Sequence, residues 1–135
     1  DVIQEFADIN QYTSRATWSN INTPAMSTMA AIYHDARLKA AVDAERQSFY
    51  HLIRERADLF VNEAAEVSLH MLPYRAGFFL SIPAQNPEAV CEQLQKDYIF
   101  AVPLTQGIRV AVCAVPAYKI KGMAAKFKQA IAKTE

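Results

Sequence analysis

The chain is 135 residues long, enough for a domain with a real core, and its 14 lysines and arginines balance its 14 aspartates and glutamates. That balance argues against a nucleic-acid or acidic-membrane surface, where a basic excess is expected. With 52% apolar residues the chain is not of the disordered class, and no apolar run reaches the length of a membrane span.

Ile3, Phe6 and Ile9 have roughly helical spacing and predict a short helix ending near Asn10. The stretch from Ser14 to Pro24 is rich in Ser, Thr and Asn, contains the single Trp18, and reads as an irregular loop. Thr23 followed by Pro24 reads as an N-cap and first helical residue. The helix that follows is expected to bury Met26, Met29, Ala30 and Tyr33 and to stop near His34. Asp35 then caps a long helix over 36–66, in which Leu38, Val42, Phe49, Leu52, Ile53 and Phe60 recur near a period of 3.6. About 30 residues at about 1.5 Å each span about 45 Å, longer than a small domain needs and suited to linking two bodies.

Residues 67–73 read as a connection and Tyr74–Pro83 as a strand, with Phe78, Leu80 and Ile82 on one face and Phe79 and Ser81 on the other. Asn86-Pro87-Glu88 opens a helix over 87–97, with Val90, Cys91, Leu94 and Tyr98 as its apolar stripe. Ile99–Pro103 reads as a short strand, 104–107 as a turn, and 107–116 as a buried strand bounded by Gly107 and Pro116. A last helix over 117–133 is expected to bury Ile120, Met123, Ala124, Phe127 and Ile131. The order after residue 67 is strand, helix, strand, strand, helix. That is an α+β class: a small, mostly antiparallel sheet with helices on one face, preceded by a long helical segment. The expected pairing sets the 107–116 strand antiparallel to 76–82.

Arg109 is the one residue of its strand that a core does not want. Ile108, Val110, Val112 and Ala114 share one face, and Arg109, Ala111, Cys113 and Val115 the other. Small neighbours leave room above the sheet, and a guanidinium is shaped to grip a carboxylate through two parallel hydrogen bonds. An arginine escaping to water at a strand end fits the same pattern.

Other chemistry is sparse. His34, His51 and His70 lack metal-ligand spacing, so no metal is expected. Ser19 and Ser81 lack a nucleophile elbow, and the three glycines form no phosphate loop. Cys91 and Cys113 are far apart, in a predicted helix and a predicted strand, which fits a reducing compartment. No signal-peptide pattern is visible, and a cytoplasmic location is expected. The chain begins with Asp1 and is expected to be a piece of a longer protein.

Four features together resemble the C-terminal part of a pyridoxal-phosphate-dependent aminotransferase of fold type I, in the aspartate and aromatic class. Arg15-Ala16-Thr17-Trp18-Ser19-Asn20 resembles that class's R-x-x-[WY]-S-N loop, although Ile21-Asn22-Thr23-Pro24 follows where Pro-Pro is common. The helix over 36–66 resembles the one joining the large and small domains. Gly77-Phe78-Phe79 resembles the G-x-F that opens a small-domain strand, and Gly107-Ile108-Arg109-Val110-Ala111-Val112 resembles the strand whose arginine binds the substrate α-carboxylate.

The resemblance implies that 1–35 belongs to the large domain and dimer interface, 36–66 is the interdomain helix, and 67–135 is the small domain. It implies that Arg109 holds the α-carboxylate, that Arg15 reaches the second carboxylate of a dicarboxylic substrate, and that Phe79 lines the pocket. It further implies pyridoxal phosphate as cofactor, amino acid and 2-oxo acid as substrates, and a homodimer. The Schiff-base lysine and most of the phosphate cup match no residue here, so the chain alone is expected to bind no cofactor and to be inactive. A stand-alone α+β module for carboxylate binding or dimerisation is the rival reading.

Overall fold

The computed structural model describes residues 1–19 and 22–134. Its contacts fall into two units, Asp1–Arg46 and Gln47–Glu135, with the division inside one continuous helix.

The first unit is helical. Helix α1 spans Val2–Thr17, with the Asp1 carboxylate accepting from the Ile3 N–H at 3.1 Å. It therefore runs well past Asn10, and Arg15 lies on its last turn rather than in a loop. The hydroxyl-rich sequence misled because such side chains also bond back within a helix: Thr17 Oγ1 donates to the Thr13 carbonyl. Asn20 and Ile21, the end of the Arg15-to-Asn20 motif and the residue after it, lie outside the described residues. Helix α2 spans Thr23–His34 and is capped by Asn22, whose side chain accepts from Ala25 N at 3.2 Å, so the cap is one residue earlier than Thr23. Neither helix buries a residue. Met26, Met29 and Tyr33 are exposed, against the expected burial, as are Val2, Ile3 and Phe6.

Helix α3 spans Ala36–Glu66, and the Asp35 carboxylate accepts from Arg37 N and Leu38 N at 2.8 and 3.1 Å. Only Ala57, Phe60 and Ala64 of it are buried, so the expected stripe is covered over its last turns alone.

The second unit holds a three-stranded antiparallel sheet, in the order β1-β3-β2. Strand β1 is Phe79–Pro83, β2 is Val102–Leu104 and β3 is Gly107–Ala111. The Arg109 strand is thus central, antiparallel to β1 with Ser81 opposite Arg109, and antiparallel to β2 with Val102 opposite Arg109. Leu80, Ile82, Ile108 and Val110 are buried on one face, in one core with Phe60 of α3, Val90 and Leu94 of helix α4 (Pro87–Gln95), and Ala124 and Phe127 of helix α6 (Met123–Thr134). Phe60 and Phe127 meet edge to face at 5.7 Å, both without solvent exposure.

All three strands are shorter than, or shifted from, the sequence expectation. Tyr74–Phe78 is not strand: Gly77 holds φ at 116°, and the Tyr74 hydroxyl donates to its carbonyl at 2.8 Å. Phe78 is consequently exposed instead of joining Leu80 and Ile82. Strand β2 is displaced toward Leu104, and α4 ends at Gln95, with Tyr98 exposed. Strand β3 stops at Ala111 because Val112–Ala114 turn into a 3₁₀ helix; Val112 keeps its core place and Ala114 is exposed. The last helix is broken into α5 (Ala117–Ile120) and α6. Gly122 holds φ at 85° at the break, where the Glu63 carboxylate accepts from Gly122 N at 2.8 Å and Ala125 N at 3.3 Å.

Candidate carboxylate-binding site

The face of the sheet turned away from the core carries Arg109. Alternation puts Ile108 and Val110 into the core and Arg109 and Ala111 on the opposite face, flanked by Ser81 on β1 and Val102 on β2. Phe79 pairs with Ala111 and is therefore the diagonal neighbour of Arg109 on the same face. The guanidinium carbon lies 4.7 Å from the centroid of the Phe79 ring, a cation–π distance. Phe78 meets Phe79 edge to face at 6.4 Å.

The close approach of β1 and β3 depends on Gly107. A Cβ there would stand 2.5 Å from the Ile82 carbonyl oxygen and 3.3 Å from Pro83 Cα, both backbone atoms.

Arg109 is half-buried, and its Nε is fully buried without a hydrogen-bond partner. Among the described residues no carboxylate pairs with it. An unmatched buried donor costs about 1–3 kcal/mol, so the sheet face keeps this cation at some expense. Beyond Nε, a guanidinium carries two terminal nitrogens that make a planar fork. A fork of two parallel donors matches a carboxylate. The site's chemistry is grip and orientation: beside Arg109 the face carries the Ser81 hydroxyl but, among the described residues of β1, β2 and β3, no histidine, lysine, cysteine or carboxylate.

Arg15 belongs to the other unit. Its Nη1 donates to Ser19 Oγ at 2.9 Å, and Ser19 holds φ at 59°. Trp18 beside it is exposed.

Several groups that could meet a phosphate are already engaged among the described residues. A phosphate seeks free helix N-termini, yet those of α1, α2, α3 and α4 are closed by Asp1, Asn22, Asp35 and Asn86, and that of α6 by Glu63. Lys39 pairs with Asp43 and Lys126 with Asp97, and Lys128 donates to the Val67 carbonyl. Among the described residues no group of three or more His, Cys, Asp or Glu could hold a metal ion, and no helix is long and apolar enough to cross a membrane.

Two arginines escaped the sequence reading. Arg54 Nη1 donates to the Arg75 carbonyl and Arg56 Nη1 to the Cys113 carbonyl, each at 2.7 Å. Their partners are backbone oxygens 21 and 57 residues away, for which helical periodicity carries no signal.

No protein-family model and no curated protein matches the chain. Among solved structures, an aminotransferase from Anaerococcus prevotii DSM 20548 matches with a TM-score of 0.91 at 31% sequence identity, over 97% of this chain and 32% of its own length. The chain is thus similar, along nearly all of its length, to one part of an aminotransferase, and spans 32% of that relative.

Proposed function

We propose that the chain is the small-domain segment of a pyridoxal-phosphate-dependent aminotransferase of fold type I, class I. The whole enzyme moves an amino group between an amino acid, aspartate or aromatic, and a 2-oxo acid. In this reading Arg109 binds the α-carboxylate, Phe79 lines the pocket against it, and Arg15 reaches across the dimer to the distal carboxylate of a dicarboxylic substrate. The enzyme is a cytoplasmic homodimer.

One observation carries the reading: a partly buried arginine in the central strand, placed over an aromatic ring and without an anionic partner among the described residues. The similarity to an aminotransferase supports the same assignment. A charge-assisted, two-point grip fixes the amino acid's orientation as well as its position, and orientation is where much of an enzyme's advantage over solution arises. Pyridoxal phosphate supplies the electron sink for the chemistry and is held by residues other than these. This chain's share is to bind the carboxylate and restrict its approach.

The test is transamination by the full-length protein with pyridoxal phosphate, aspartate or an aromatic amino acid, and a 2-oxo acid acceptor. The full-length protein should turn over at least one donor, and the 135-residue chain neither. Turnover by the short chain with a borohydride-stable adduct on one of its lysines would overturn this placement, as would a full-length protein inactive with both donors.

A further inference from the structure

At the end of the sheet where Phe79 faces Ala111, both strands stop: a bend precedes β1 and a 3₁₀ helix follows β3. Residues 75–78 lead into β1, and 112–114 lead out of β3. Each segment is held through one carbonyl by a guanidinium from the same turn of α3. Arg54 takes the Arg75 carbonyl and Arg56 takes the Cys113 carbonyl.

Two residues on a helix point about 200° apart. Arg54 and Arg56 therefore leave α3 on either side of its buried Ala57 and Phe60. Arg54 is itself held by Asp58 at 3.0 Å and lies 5.9 Å from the Tyr74 ring, whose hydroxyl closes onto Gly77. Arg56 is half-buried, and its Nε, like that of Arg109, is buried without a partner. These two nitrogens are the only buried side-chain polar atoms left unmatched among the described residues.

We propose that Arg54 and Arg56 are positioning residues for Arg109: by pinning the backbone that enters β1 and leaves β3, they fix its guanidinium over Phe79. The pinning is a property of this chain alone. Its consequence for substrate rests on the aminotransferase reading. Without the pins, 75–78 and 112–114 lose the side-chain hydrogen bonds that Arg54 and Arg56 make to them from α3, and the Phe79–Ala111 end of the β1–β3 pair frays.

The test reads the Nε–Hε resonance of Arg109 in the full chain labelled with nitrogen-15. In the parent this proton is buried beside an aromatic ring, so it exchanges slowly with water. Arg56→Gln or Arg54→Gln should speed its exchange about ten- to a hundredfold, the ratio set by losing one charge-assisted hydrogen bond. Arg56→Lys keeps one charged donor and should recover most of the protection. Glu63→Gln is the control: it weakens the hold of the same helix on Gly122 and Ala125, so it should lower the melting temperature and leave the Arg109 signal in place.

An Arg109 signal unmoved in both glutamine variants overturns the proposal. So does an equal change in Glu63→Gln, which would mark general loosening. In the full-length enzyme Arg56→Gln should raise KM for both donors while kcat is kept. A disturbed Arg109 signal with unchanged KM upholds the pinning and overturns instead the assignment of Arg109 to the carboxylate.

Discussion

The guanidinium of Arg109 lies over the ring of Phe79 across the β1–β3 pair, 4.7 Å from its centroid. The contact joins two neighbours that are diagonal, not directly opposite, in the register. Phe79 is 46% exposed, so its ring serves the arginine more than the core. Phe79→Leu keeps apolar bulk and removes the π face. The loss of about 0.5–1 kcal/mol of cation–π attraction should raise KM for amino acid donors in the full-length enzyme about two- to fivefold. Thermal stability should hardly move. An unchanged KM would show that the ring does not steady the guanidinium.

Gly107 sets how closely β3 approaches β1. Alanine there would press its Cβ to 2.5 Å from the Ile82 carbonyl oxygen, and backbone in a paired strand cannot move aside cheaply. Gly107→Ala should destabilise the chain by about 1–3 kcal/mol, the usual cost of overpacking. Denaturant unfolding followed by circular dichroism measures it. A midpoint equal to the parent's would contradict the close approach.

The antiparallel pairing and the inward faces of the two strands were legible because Leu80 and Ile82, and Ile108 and Val110, alternate with residues of the other face. Ile82 and Ile108 had one place to go, and Arg109 followed onto the other face. Strand ends were not legible. Arg54 and Arg56 catch carbonyls beside the ends of β1 and β3, and Glu63 catches amides at the break between α5 and α6, all far along the chain. The Arg109–Phe79 stack was half legible: both residues stood out, yet their adjacency needs the exact β1–β3 register. Arg15 reads as a loop residue because Ser and Thr count as breakers in sequence, whereas the Thr17 hydroxyl bonds within the helix.

Tyr98 follows α4 with φ at 58°, and the Ile99 N–H closes the helix end onto Leu94 at 3.0 Å. Helix ends of this form favour glycine at the left-handed position. The Tyr98 ring is 87% exposed and adds little to the core. Tyr98→Gly should therefore stabilise the chain, by up to about 1 kcal/mol. A lower melting temperature in this variant would show that the ring makes a contact worth more than the backbone strain.

Burial, and after it the charge of Glu88, raise the Cys91 thiol above its ordinary value of 9.0. The folded state therefore favours the protonated form. Its stabilising contribution is complete below the ordinary value and is lost as pH rises through the folded one, so Cys91 weakens the fold only in alkali. Cys113 is half-buried. A thiol reagent at about pH 8 should label Cys113 first and Cys91 only on unfolding. Equal labelling rates in the folded chain would contradict the burial of Cys91.

The most direct test of the account is kcat/KM of the full-length enzyme carrying Arg109→Lys, measured with aspartate and with an aromatic amino acid. Lysine keeps the charge and loses the planar two-point grip. Losing one charge-assisted hydrogen bond costs about 1.5–3 kcal/mol, or about ten- to a hundredfold in kcat/KM. Both donors carry an α-carboxylate, so both should fall alike, with folding little affected because the arginine has no anionic partner among the described residues. Arg15→Lys, measured beside it, should damage aspartate and largely spare the aromatic donor. If Arg109→Lys leaves both donors at the parent's kcat/KM, Arg109 is not the substrate grip and the central claim is wrong.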